Sequence, residues 1–114
     1  MVRYLKIDFD NVRSVEGLRR RLLRLSKVIR ILRLSVGDIE TKKSPSGKGY
    51  HVIIDMKRDI PDIVAVTLQS LMGSDYKREC YNLIRVANGI KNWNVLFKSK
   101  KKFRIGGKRV RKNN

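Results

Sequence analysis

Between residues 10 and 15 the spacing of apolar side chains changes from two to between three and four, and this change constrains the fold of the chain more than any other feature. In "VRYLKIDFD", residues 2–10, Val2, Tyr4, Leu5, Ile7 and Phe9 give an imperfect alternation, the period of a strand with one face buried. From Val15 onward, Val15, Leu18, Leu22 and Leu25 recur at helical spacing, and the sequence predicts a helix to about Lys27. Ser14 is placed to cap it, with Glu16 in its first turn. A strand followed directly by an amphipathic helix must bury both apolar faces against each other or against a shared layer.

The remaining segments extend this pattern. "VIRILRLSVGDIET", residues 28–41, reads as a second strand with a kink or bulge near Gly37. "KKSPSGKG", residues 42–49, is punctuated by Pro45, Gly47 and Gly49 and reads as a loop. "YHVIIDMK", residues 50–57, is a third strand, paired with the second as a hairpin. Asp59, Pro61 and Asp62 announce a helix carrying Ile60, Val64, Leu68 and Leu71, closed by Gly73. Ser74 and Asp75 cap a further helical stretch, "YKRECYNLIRVA", and "NWNVLFK", residues 92–98, reads as the last strand, with Trp93 and Phe97 as core residues. The order predicts an α+β fold: a ferredoxin-like, RRM-like βαββαβ sandwich with an extra helical turn before its last strand. Residues 1–98 form its single domain, and residues 99–114 a basic flexible tail.

Composition narrows the setting. The chain has 114 residues, one domain's worth. Cys80 is the only cysteine and His51 the only histidine, so neither an internal disulfide nor a structural zinc site is available. The N-terminal segment lacks the marks of a secretory signal and no run is apolar enough to span a membrane, so a cytoplasmic, reducing setting without membrane contact is expected. Twenty-eight Lys and Arg against ten Asp and Glu give a formal charge of +18. That excess is far beyond what solubility requires, and it predicts a polyanionic partner. Nucleic acid fits, because counterion release drives its binding to cationic surfaces.

Chemistry-bearing residues gather in two places. Asp8 and Asp10 stand two apart in the first strand and therefore share a face, where they repel each other. A divalent cation, Mg²⁺ or Mn²⁺, would relieve that repulsion, and Mg²⁺ is commonly held by one or two carboxylates together with substrate phosphates. The loop "SPSGKG", residues 44–49, offers Ser46, Gly47, Lys48 and Gly49 as a flexible, cationic cradle for an anion. His51 follows it directly, on the strand face opposite Tyr50 and Val52. A short Ser/Gly/Lys loop is also an ordinary hairpin turn, a D-x-D pair arises often by chance, and a lone histidine is more often structural than catalytic.

Taken together, "IDFD" and "SGKGYH" resemble the archaeo-eukaryotic primase–polymerase superfamily, whose RRM-like core carries D-x-D on one strand and S-G-x-G-x-H leading into a later one. "LIRVANGIKNWN", residues 83–94, resembles the superfamily's L-R-x-P-G-T-x-N-x-K segment, with the proline replaced. The resemblance implies metal binding by Asp8 and Asp10, and nucleotide binding by Ser46, Gly47, Lys48, Gly49, His51 and Arg85. It implies a third acid, for which Asp75 is the first candidate and Asp55 the second. It also implies a nucleoside triphosphate as partner and a primase-like nucleotidyltransferase in the replication of an archaeal virus or plasmid.

Two basic elements complete the reading. Arg19, Arg20, Arg21, Arg24 and Lys27 crowd the first helix, and Lys100, Lys101, Lys102, Arg104, Lys108, Arg109 and Arg111 fill the tail. Both predict contact with DNA or RNA, single strands above all. The competing function is a non-catalytic binder, such as a viral nucleoprotein or a ribosome-associated protein, for which the small size and the tail speak.

Overall fold

The computed structural model describes residues 1–96. Strand β1 (Val2–Asp10), helix α1 (Val15–Ile31), strands β2 (Ile39–Lys43) and β3 (Gly49–Ile60), and helices α2 (Asp62–Leu71) and α3 (Tyr76–Ala87) follow in that order. The strands form an antiparallel sheet in the order β1-β3-β2. The protein is therefore a small α+β fold of a three-stranded sheet and three helices.

Alternation decides which face of the sheet is buried. Leu5, Ile7 and Phe9 of β1 and Val52, Ile54 and Met56 of β3 all point inward, and the register sets Leu5 opposite Ile54 and Ile7 opposite Val52. On this face Leu25 of α1 and Ala65, Val66 and Leu68 of α2 complete the core with Trp93. Burying a side chain of this size is worth about 1.5–3 kcal/mol, so a one-residue slip of β1 would forfeit most of the core at once.

Helix α1 begins where expected. Ser14 Oγ accepts from Gly17 N–H at 3.0 Å. The helix runs to Ile31, past the expected end near Lys27, because Leu18, Leu22, Leu25 and Ile29 continue one stripe against the core. The strand expected over residues 28–41 is thereby corrected. Its β-branched residues Val28, Ile29 and Ile31 are helical, since packing on the sheet outweighs their modest intrinsic preference. Only Ile39–Lys43 pair as β2, which also takes Lys42 and Lys43 out of the expected loop. Near Gly37 the pairing is irregular, as expected: Gly37 N–H donates to Asp55 O at 2.7 Å, and Asp55 N–H to Asp38 O at 3.0 Å.

The last strand, expected over residues 92–98, is not found among the described residues. Residues 92–96 form neither strand nor helix, and residues 97 and 98 lie outside the described range. The free edge of β1 is instead taken up by side chains. Lys6 N–H donates to Gln69 Oε1 and Asp8 N–H to Ser74 Oγ. Arg78 Nη1 donates to Lys6 O, and Asn94 Nδ2 to Tyr4 O. A ladder partner for β1 would compete with these bonds. Trp93 is fully buried, as expected for a core residue.

Candidate functional site

The side chains of Tyr4, Lys6, Asp8 and Asp10 alternate away from the core, onto the open face of the sheet. His51 lies on that same face, because β3 pairs with β1 so that His51 stands opposite Asp8. On its other side His51 stands opposite Lys42 of β2. A carboxylate, an imidazole and an ammonium thus form one row across the strands. Asp8 Oδ1 and His51 Nε2 are 3.7 Å apart, and both side chains are largely buried, with 28% and 17% exposure.

That distance admits an ion pair, but the proton affinities point the other way. An ion pair would lower the carboxyl pKa and raise that of the imidazole. Here Asp8 is raised to about 6, first by desolvation and further by Asp10, Asp75 and Glu79, with Arg78 opposing. His51 is lowered, again first by desolvation and then by Arg78. Loss of solvent therefore outweighs the mutual attraction, and near pH 7 an ionised Asp8 faces an uncharged His51. The cation that depresses His51 is Arg78.

Arg78 was not singled out by the sequence. It is nearly buried, and its guanidinium reaches Lys6 O at 2.8 Å, Asn94 Oδ1 at 2.9 Å and the carboxylate of Glu79. Burial pushes it below the ordinary arginine range, with Glu79 and Asp8 resisting that shift; an arginine in this position stays charged. Glu79 accepts from Gln69 Nε2 at 2.8 Å, from Ser74 Oγ at 2.7 Å and from Asn82 Nδ2 at 3.1 Å. This buried network ties α2 and α3 to the free edge of β1 beside Asp8. One signal in the sequence marks it: Glu79 and Asn82 are polar at positions where Val86 continues an inward-facing spacing.

Asp75 is brought to Asp8. Its N–H donates to Asp8 O at 2.7 Å, and its carboxylate caps α3 by accepting from Arg78 N–H at 3.1 Å. Asp55, the other candidate for a third acid, is held by Arg3 in a two-pronged bond at 2.8 and 3.1 Å. Asp10 shares the face of Asp8 and is exposed at the strand end. Among the described residues no three His, Cys, Asp or Glu side chains converge as a metal-binding set. With Asp75 engaged in capping and Asp8 carrying a raised pKa, these residues do not form a preformed metal cage.

The loop at residues 44–49 departs from the expected cradle. Gly47 N–H donates to Ser44 O, Gly49 N–H to Ser44 Oγ, and Lys48 N–H to Ser46 Oγ. The donors of Gly47, Lys48 and Gly49 are thus turned inward, and the hairpin closes on itself. Gly49 has a separate reason: a Cβ there would sit 2.0 Å from Phe9 O, so glycine permits the close approach of β1 and β3. The Lys48 side chain takes no part in these bonds and stays available to an anion.

Two hollows flank the Asp8–His51 pair. One, of about 460 Å³, has Ile53 and Leu96 in its lining with Lys6, Lys42, Lys43 and His51 around them. The other, of about 210 Å³, is bordered by Asp8 and Asp75 and by Lys77, Arg78, Tyr81 and Arg85 of α3. Arg85 was expected near the nucleotide, and the structure places it in this second hollow. A third hollow, of about 380 Å³, joins Asp10 and Asp75 to Arg21 and Arg24 of α1. Arg21 lies over the Phe9 ring at 5.9 Å, and Arg24 Nε donates to Leu71 O at 3.1 Å. Those two cations therefore line the third hollow and do not reach the Asp8–His51 pair, whereas Arg19, Arg20 and Lys27 are exposed on the helix. The tail cations Lys100, Lys101, Lys102, Arg104, Lys108, Arg109 and Arg111 lie outside the described residues.

Among the described residues no helix is long and apolar enough to cross a membrane. No protein-family model matches the chain, and no solved structure matches it. Over 68 residues it is 38% identical to uncharacterized protein 30 of Sulfolobus islandicus filamentous virus (isolate Iceland/Hveragerdi). The match covers 57% of this chain and 26% of that protein, so the chain spans about a quarter of the relative's length and is similar there to a viral protein.

Proposed function

We propose that this is a nucleic-acid-binding protein whose open sheet face takes the phosphates of a nucleoside triphosphate, in the manner of a primase–polymerase core. The observation that carries the reading is the pairing of Asp8 and His51 across β1 and β3 on the face away from the core. Lys6 and Lys43 supply positive potential around the larger hollow, Lys42 there being paired with Glu40 at 3.6 Å, and Ile53 and Leu96 give it apolar lining suited to a base or sugar. An arriving phosphate raises the proton affinity of His51, which then donates a charge-assisted hydrogen bond. Asp8 and Asp10 would hold a Mg²⁺ or Mn²⁺ ion carried by that triphosphate; such an ion supplies charge neutralisation at the phosphates. The order of elements and the β1-β3-β2 sheet support a ferredoxin-like relationship, with side chains of Gln69, Ser74, Arg78 and Asn94 standing where that fold sets a further strand along β1. The likeness to a filamentous-virus protein supports a viral setting, and the charge of +18 supports a nucleic-acid partner.

A second reading is a binder without transfer chemistry. The inward-turned loop donors and the capped Asp75 favour it. Calorimetric titration with a Mg²⁺–nucleoside triphosphate tests the shared part of both readings. Loss of one charged hydrogen bond, about 1.5–3 kcal/mol, is expected for His51→Ala. A His51→Ala variant that binds the triphosphate like the parent refutes the site. Extension of a primed template by the parent, abolished in Asp8→Asn, selects the catalytic reading; triphosphate binding without extension selects the binder.

A further inference from the structure

We propose that the smaller hollow, between α3 and the open side of β1, seats one base and the adjoining phosphates of single-stranded nucleic acid. This inference rests on the nucleotide reading of the neighbouring Asp8–His51 pair and adds to it a second, separate ligand position. Lys77, Tyr81 and Arg85 stand at i, i+4 and i+8 on α3, so they form a single stripe along the helix. All three line the hollow of about 210 Å³ that Asp8 and Asp75 border. Tyr81 is 60% exposed, although its ring gains nothing from water. Among the described residues neither Lys77 nor Arg85 takes part in an ion pair. An aromatic ring held between two such cations matches the alternation of base and phosphate along a strand.

The chemistry selects a single strand. Bases in a duplex are already stacked on both faces and have none to give to a lone side chain, whereas an unpaired base does. Stacking of this kind tolerates any base, so the seat carries little sequence preference. The acidic end formed by Asp8 and Asp75 repels phosphate, which confines the backbone to the Lys77 and Arg85 side. A strand seated there approaches the Asp8–His51 pair from the side opposite the larger hollow.

The test uses the full chain, labelled oligo(dT), and an abasic oligonucleotide of equal charge, read by fluorescence anisotropy. Tyr81→Ala is expected to weaken oligo(dT) binding about five-fold or more, and Tyr81→Phe to leave it unchanged. On the abasic strand Tyr81→Ala and the parent should bind alike. Lys77→Gln with Arg85→Gln should flatten the log–log salt dependence by about 1.4, at about 0.7 for each phosphate contact to a single strand. Equal binding of oligo(dT) by Tyr81→Ala and the parent overturns the proposal, as does an equal loss on both strands. A Mg²⁺–triphosphate titration separates the two ideas. Tyr81→Ala should retain triphosphate binding and His51→Ala should retain the oligo(dT) affinity, so failure at one position leaves the other readable.

Discussion

Asp8 is an acid held where an acid is costly, and replacing it with asparagine should stabilise the protein. Its carboxyl is raised from 3.8 to about 6, chiefly by desolvation. Such a group binds its proton more tightly in the folded chain than in the unfolded one. The folded state is favoured while the proton stays on, and stability falls as pH rises from about 4 through about 6. At about 1.4 kcal/mol per pH unit, that span corresponds to about 3 kcal/mol lost by pH 7.5. The side chain is 28% exposed, and solvent screens part of this, so about 1–3 kcal/mol is the expected gain for Asp8→Asn. The backbone bonds of residue 8 to Ser74 and Asp75 survive the change. Urea unfolding at pH 7.5 and again at pH 4 measures it. The variant should be more stable than the parent at pH 7.5 and nearly equal to it at pH 4. A variant that is less stable at pH 7.5, or gains equally at both pH values, would refute the reasoning.

Other consequences are more local. Gly49→Ala should cost at least about 2 kcal/mol in a thermal or urea melt, because the new Cβ meets the Phe9 carbonyl, which cannot move without breaking the β1–β3 ladder; a neutral effect would mean that the strands are not so closely paired. A Mg²⁺–nucleoside triphosphate should raise the melting temperature of the parent by mass action and raise that of an Asp8→Asn, Asp10→Asn variant less; an equal rise in both would make the carboxylates structural only. Removal of residues 99–114 should reduce the salt dependence of oligonucleotide binding without lowering the melting temperature, and a lowered melting temperature would assign the tail a part in the fold.

Most of the sheet was legible because alternation is a strong signal when one face is buried. Leu5, Ile7 and Phe9 against Val52 and Ile54 read directly as paired inner faces, and placing His51 beside Asp8 needed only that parity and the adjacency of their strands. The end of α1 was not legible, because Val28, Ile29 and Ile31 prefer strands in isolation and are helical here through packing alone. The edge of β1 was hidden for another reason. Gln69, Ser74, Arg78 and Asn94 bond to it singly from distant points of the chain, and such tertiary pairing leaves no period to count. The loop at residues 44–49 shows the limit of composition: the same glycines and serines that build an anion nest also build a closed turn, and only the hydrogen bonds distinguish them.

The central claim is that His51 meets a phosphate, and a single-histidine chain allows a direct measurement of it. An NMR titration of the His51 imidazole against pH follows one resonance pair without assignment ambiguity. In the free protein the midpoint should lie below the ordinary 6.5, as burial and Arg78 require. With a saturating Mg²⁺–nucleoside triphosphate it should move upward, because the phosphate favours the imidazolium and accepts its hydrogen bond. A midpoint that stays in place while the triphosphate is bound would contradict the account.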